Sequence, residues 1–409
     1  MRSVGRERGR IDRVALITIV LLVVVIGGGY VFLRLTADDD SAKPAAQPTV
    51  KPSHHAKPQS SPSPTPTEPV YDANNPDVGK VVVVSSDHET TSDAVGIPYW
   101  ADLGKGGVLH SGSTATPFAQ RPATFTLNHD TSSTLAGSWI VLTVGSKPRL
   151  VWADAKGNLQ RNLPGAPGGL VATPDGSQVA YLSQTGYDTG SSANAWSITS
   201  GKAQQAVDDP LSRGVRLDGF LSGGRVLFQP DSDHVAVWEP KGDATDLAGT
   251  YAAGGPSNPK TDRYAVKSSD ACWGVAAYPK KPLSGWKTCY AAISGFSADG
   301  SKVVLTGDGY HFVKGSADDA PEGPATLWIR QAAGNAPVVV YTAPKGGFFT
   351  SWAWDGDVLD AVLYEPGTGK RPGTWSLLRL GAASYEVQDG LQAIAGDDPD
   401  SPRIVLPRG

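Results

Sequence analysis

Few residues in this chain have both the type and the spacing for chemistry. Cys272 and Cys289 are the only cysteines. With no Cys-x-x-Cys pair, the spacing argues against a redox centre. They lie nearly symmetrically about Pro279–Pro282, so a hairpin turning there would set them opposite each other. Outside a reducing compartment, such a pair is read as a structural disulfide. Five histidines fall in the C-terminal four-fifths: His88, His110, His129, His234 and His311. None forms His-x-x-x-His or another local zinc spacing, so each is read as an ordinary loop or surface residue and no metal is expected. His54-His55 supplies only two ligands in a Pro-rich stretch, too few for a zinc site. A Ser-His-Asp hydrolase would need a Gly-x-Ser-x-Gly elbow, which is missing. No catalytic residue and no cofactor is assigned.

The remaining candidates are binding residues. Trp352 and Trp354 are two apart and would share one strand face, an aromatic pair suited to contacting a ligand. The long polar stretch 307–323 carries Asp308, Tyr310, His311, Asp318 and Asp319. Asp308, Tyr310 and His311 are its ligand-binding candidates. Other long polar stretches are 87–94, 185–193 and 364–373. Long loops on a rigid scaffold are where binding usually sits.

What must position these residues is a repeat. An aromatic residue in an apolar context, followed within a few residues by Gly, recurs at Trp100, Trp152, Trp196, Trp238, Trp328 and Trp375. A degenerate copy at Tyr278 fills the gap. The seven copies are about 46 residues apart, the length of a four-stranded propeller blade. Once per blade, the tryptophans read as inter-blade packing. Upstream of them a tight turn feeds a strand, as in Pro174-Asp175-Gly176 before Gln178–Leu182 and Asp299-Gly300 before Lys302–Leu305. Gly reaches positive φ without steric cost, and Asp hydrogen-bonds its own turn.

The pairs Pro174-Asp175-Gly176 with Trp196, and Asp299-Gly300 with Trp328, resemble TolB-type and WD40-like β-propeller repeats. The resemblance covers about four-fifths of the chain. It implies an all-β, seven-bladed propeller over residues 71–409. It leaves function open, because such propellers host unrelated roles. The ring is expected to close with residues 391–395 as the innermost strand of the first blade, beside Val81–Val84; the run 403–406 is the alternative.

The N-terminal fifth reads differently. Residues 1–13 form a basic tail, with Arg2, Arg6, Arg8, Arg10 and Arg13 against Glu7 and Asp12. From Val14 to Leu33 no charge interrupts Val, Ile and Leu, so residues 14–35 are expected to form a transmembrane helix, about 30 Å of apolar length. Arginines before it and Asp38, Asp39 and Asp40 after it put the N-terminus in the cytoplasm. A cleaved signal peptide is the rival, but the apolar run is long for one. Residues 36–70 form a Pro/Ser/Thr-rich linker that cannot build a core. Extended, it would reach as far as ~100 Å.

Together these readings describe a single-pass cell-membrane protein with an extracytoplasmic propeller, resembling secreted-side membrane proteins of high-GC bacteria. The expected role is non-catalytic binding or scaffolding through one loop-rich face, with a protein or cell-envelope glycan as partner. The alternative is a propeller enzyme of lyase, lactonase or glycosidase type with its site over the central channel. The net charge of −4 provides no basic face for nucleic acid.

Overall fold

The computed structural model describes residues 78–407, apart from 128–136, 145–147, 175, 185–190, 198–201, 212–215, 231–233, 240–243, 248–250, 269–271, 280–286, 290, 308–323, 334–337 and 382–383. Within its strands it gives no side-chain placement at 78–79, 163–168, 183–184, 191–197, 202–211, 251–253 and 338. The apolar run at 14–33 lies outside the described residues. Among those described, no helix is long and apolar enough to cross a membrane, so the structure lends no support to the transmembrane helix expected at 14–35.

Short strands of Val, Leu, Phe and Trp, separated by Gly-containing turns, fold into antiparallel sheets around a central channel. The first sheet orders Ile404–Val405, Tyr99–Asp102, Gly107–Ser111 and Thr114–Pro117 from the inside outward. The third runs Arg216–Phe220, Val226–Gln229, Ala236–Trp238 and Ala244–Asp246. The fourth runs Tyr251–Asn258, Arg263–Ser268, Trp273–Ala277 and Lys287–Thr288. The fifth runs Ala292–Phe296, Lys302–Gly307, Thr326–Gln331 and Val338–Thr342. The sixth runs Phe348–Asp355, Val358–Glu365, Thr374–Leu380 and Tyr385–Gln388.

The second sheet corrects the expected blade count. The structure is a propeller of six sheets, not seven separate blades. The fourteen-residue strand Leu159–Ala172 has no turn to divide it. Its start pairs with Arg149–Ala153, and its end pairs with Gln178–Gln184. The repeats of Trp152 and Trp196 therefore share one seven-stranded sheet, from Pro122–Leu127 to Lys202–Leu211. The aromatic period counts units of sequence, whereas continuous backbone pairing counts sheets.

Closure also differs from expectation. Ile404–Val405 pairs antiparallel with Trp100–Ala101 and supplies the first sheet's inner strand. Residues Ile394–Ala395 instead pair with Thr374–Trp375 of the sixth sheet. Val78–Val83 lies at the opposite radius, as a parallel strand outside Val338–Thr342. Thr90–Thr91 does the same outside the sixth sheet, so residues 87–94 are an outer strap, not a loop between second and third strands. Two successive strands of the chain thus cover edges that would otherwise be open to pairing.

The core lies between sheets. Trp139, Trp238 and Trp375 are fully buried. Trp152, Trp196, Trp238, Trp328 and Trp375 all fall on strands third from the channel within their repeats. The other two units depart from this. Trp100 sits on a second strand, and the fourth sheet's third strand carries Trp273, with Tyr278 just beyond its end. Trp273, followed directly by Gly274, holds the third-strand position that the repeat pattern assigned to Tyr278.

One face of the ring is tied turn to turn. Ser222 Oγ donates to Asp262 Oδ2 at 2.7 Å. Asn258 Nδ2 donates to Ser297 O at 2.8 Å, and Arg263 Nη1 to Gly300 O at 2.9 Å. Lys302 Nζ lies 3.2 Å from Asp357 Oδ1. Gly300, at φ 71°, is required here: a Cβ would stand 2.5 Å from Thr261 Oγ1 of the neighbouring turn.

Candidate functional site

The inner strands enclose a channel of about 760 Å³, to which all six sheets contribute. That volume is in the range of small-molecule sites. Trp352 and Trp354 lie on the inner strand Phe348–Asp355 and both line it. They also pack against the core between the fifth and sixth sheets. Trp352 Nε1 donates to Ser294 O at 3.2 Å across that seam. Trp354 Nε1 is buried and makes no hydrogen bond among the described residues, and the same holds for Thr350 Oγ1 on the same strand. Lys302 Nζ lies 6.0 Å from the Trp354 ring centroid, at the outer limit of a cation–π contact.

A second cluster comes from the third and fourth sheets. Asp218 lies in the wall with its side chain 2% exposed, while that of Arg216 is 46% exposed. Arg216 Nε donates to Asp218 Oδ1 at 2.9 Å, and its Nη2 to Gly254 O at 2.7 Å. Gln229 Nε2 contacts both Asp218 oxygens at 3.2 and 3.1 Å. Burial pushes the Asp218 carboxyl up to about 6, against the lowering pull of Arg216 and Gln229. Gly254 makes the seat: a Cβ there would stand 2.3 Å from Asp218 Oδ2. No sequence signal marks this cluster, because Gln229 and Gly254 reach Asp218 only through sheet pairing and packing.

A third polar group ties a strap to the sixth sheet. Arg379 Nη2 donates to Asp355 Oδ2 at 2.9 Å, and its Nη1 to Ala94 O at 3.2 Å. Gly96 N donates to the same Asp355 oxygen at 2.9 Å. Asp360 is fully buried, with Oδ1 3.3 Å from Arg379 Nε but not aligned for a hydrogen bond. Burial, together with the neighbouring Asp355 charge, pushes its carboxyl up to about 7, and Arg379 opposes this.

Of the described residues among the site candidates expected from sequence, Trp352 and Trp354 reach the channel. Asp308, Tyr310 and His311 lie outside the described residues. Cys272 and Cys289 form a disulfide with Cα atoms 4.1 Å apart. It joins the third and outer strands of the fourth sheet, where Trp273 pairs with Thr288. Neither cysteine lines the channel. His110 stacks on Tyr99 at 4.6 Å, and burial lowers its pKa. His88 meets Tyr385 edge-on at 4.1 Å. Among the described residues, no group of three or more His, Cys, Asp or Glu could hold a metal ion.

No family model and no curated protein matches the chain. Solved structures do. The β-propeller domain of Cps50 (Swd1) from Myceliophteria thermophila is 10% identical, with TM-score 0.45, over 68% of this chain and 88% of that one. A functionally unknown protein from Desulfotomaculum acetoxidans is 12% identical, with TM-score 0.44, over 76% and 99%. TolB from Acinetobacter baumannii is 11% identical, with TM-score 0.38, over 60% and 66%. The chain is similar to these; its own sheets, arranged around a channel, are what make it a β-propeller.

Proposed function

We propose that this chain is a membrane-tethered, extracytoplasmic β-propeller acting as a non-catalytic binding or scaffolding module. The supporting observation is the channel. It is lined by side chains from every sheet and held open by a ring closed at Ile404–Val405 and tied turn to turn. A wall built this way presents its groups in fixed positions, which lowers the ordering cost of binding. The ligand meets Trp352 and Trp354 in the channel, with Asp308, Tyr310 and His311 as further binding residues. The uncharged run at 14–33 and the Pro-rich stretch after it supply tether and reach. The partner is a protein or a cell-envelope glycan.

A photo-reactive residue placed at Val144, which lines the channel and is exposed, tests this in cells carrying the full-length chain. A discrete adduct is expected from Val144 and none from Val83, exposed near the outer edge. Equal labelling at both positions, or none at either, would remove the channel as the binding site. A membrane-impermeant reagent applied to intact cells should label the propeller's lysines; labelling only after lysis would overturn the extracytoplasmic placement.

A further inference from the structure

Arg216 is anchored more firmly than a half-exposed arginine needs to be. Its Nε and Nη2 are tied to Asp218 and to the Gly254 carbonyl. Asp218 is in turn fixed by Gln229 and seated against Gly254, where any side chain would collide with it. The cost of this arrangement is real. A carboxylate sunk in the wall is disfavoured by desolvation, and an apolar pair of similar volume would hold the third and fourth sheets together at least as well. What an apolar pair could not do is present a guanidinium to the channel in one fixed orientation. Among the described residues, Arg216 Nη1 has no hydrogen-bond partner, and the side chain lines the channel. A locked guanidinium with a free edge is the standard receptor for a planar oxyanion.

The rest of the lining narrows the ligand. Among the described residues, the charged members of the lining are Arg121, Arg216, Asp218 and Asp400, two of each sign, which gives no net field to draw in a polyanion. Arg121 donates through Nη1 to the Asp400 carbonyl. Much of the remaining wall is apolar, including Ile97, Val144, Ile293, Trp352 and Val405. One bound negative charge and an apolar body match this surface.

We propose that Arg216 is the receptor for the carboxylate of an organic ligand whose apolar body fills the channel. This rests on the channel being the binding site. The same chemistry is offered by a small aromatic acid and by the C-terminal end of an apolar peptide. Calorimetric titration of the full-length chain in mild detergent with 3-phenylpropionate and with acetyl-Phe-Val-Leu, each beside its amide, separates the two sources.

The expected result is binding of at least one acid about tenfold or more tighter than its amide. Arg216→Gln should abolish that preference while leaving amide binding unchanged. Arg216→Lys, which keeps the charge but loses the fork, should retain only part of it. Asp218→Asn, which leaves Arg216 uncompensated, should bind the acid at least as tightly as wild type and with a steeper salt dependence. Thermal unfolding of each variant checks that the fold survives. Acid and amide binding alike, neither acid binding, or an unchanged preference in both Arg216 variants would each overturn the proposal. An adduct at Val144 alongside any of those results would leave the channel as a binding site and remove only the carboxylate.

Discussion

Asp360 shows how one buried charge ties local chemistry to global stability. It sits on the second strand of the sixth sheet, fully buried, beside an arginine that already serves Asp355 and the Ala94 carbonyl. Its carboxyl titrates near 7 in the fold, against about 4 in the unfolded chain. Asp218 is raised in the same sense, to about 6. A carboxyl raised by folding binds protons more tightly in the native state. Its contribution to stability is therefore greatest at low pH and falls as pH rises from about 4 through the folded value. Acidifying from pH 7.5 to pH 5 should accordingly strengthen the fold at these two sites. Asp360→Asn should raise stability more at pH 7.5 than at pH 5, by a difference on the order of 2 kcal/mol. Denaturant unfolding at the two pH values checks this; an equal loss at both would mean that the Arg379 contact outweighs desolvation. Exposed Asp299 runs the other way, because hydrogen bonds from Ser297 and Ser301 hold its carboxyl below the usual range. Its share of stability is lost only in strong acid.

At the scale of single elements, the fourth sheet has the weakest outer edge, and the disulfide compensates. Its outer strand is two residues long and makes two pairs with its neighbour. The bridge spans 17 positions and fastens that strand beside Trp273. Closing a loop of this size is worth about 3 kcal/mol in the chain-entropy model. Cys272→Ser with Cys289→Ser should lower unfolding stability by about that amount and open the Lys287–Thr288 edge first, which amide hydrogen exchange would show. Protection unchanged along Trp273–Ala277 would mean that the hairpin holds without the bridge. The tight turns are a second elemental device. In Thr173–Gln178, Gly176 takes φ 66°, and a Cβ there would meet the Leu127 carbonyl at 2.1 Å. Gly176→Ala should therefore cost more than the usual surface substitution, on the order of 1–3 kcal/mol.

For the molecule as a whole, the decisive contact is the one that closes the ring. Ile404 is fully buried, and its strand pairs with residues over 300 positions earlier. Arg403 adds an ion pair with Asp102 at 2.9 Å. Removing residues 403–409 would strip the first sheet of its inner strand and expose Trp100 and Leu109 beneath it. The truncated chain should unfold at a markedly lower temperature, with proteolysis starting between residues 92 and 120. A cooperative transition at the wild-type temperature would show that the first sheet holds its place without closure. Trp375→Ala, on a third strand with no exposed surface, should cost about 3–5 kcal/mol.

Local pattern was enough to read the β class, the turn chemistry, the disulfide and the placement of Trp352 and Trp354 on one strand face. These depend on φ preference, alternation and spacing within a few residues, all carried by neighbours in the chain. The number of sheets was not legible, because nothing in Leu159–Ala172 announces that a Gly- and Pro-rich stretch would stay extended and fuse two repeats. Nor was it legible that Ile404–Val405, and not residues 391–395, would meet Trp100: both runs are apolar, and only the path length around the ring selects between them. The Arg216–Asp218–Gln229–Gly254 cluster belongs to the same class. Its members are unremarkable residues from three strands, and register and close packing between two sheets, not local preference, turn them into a site.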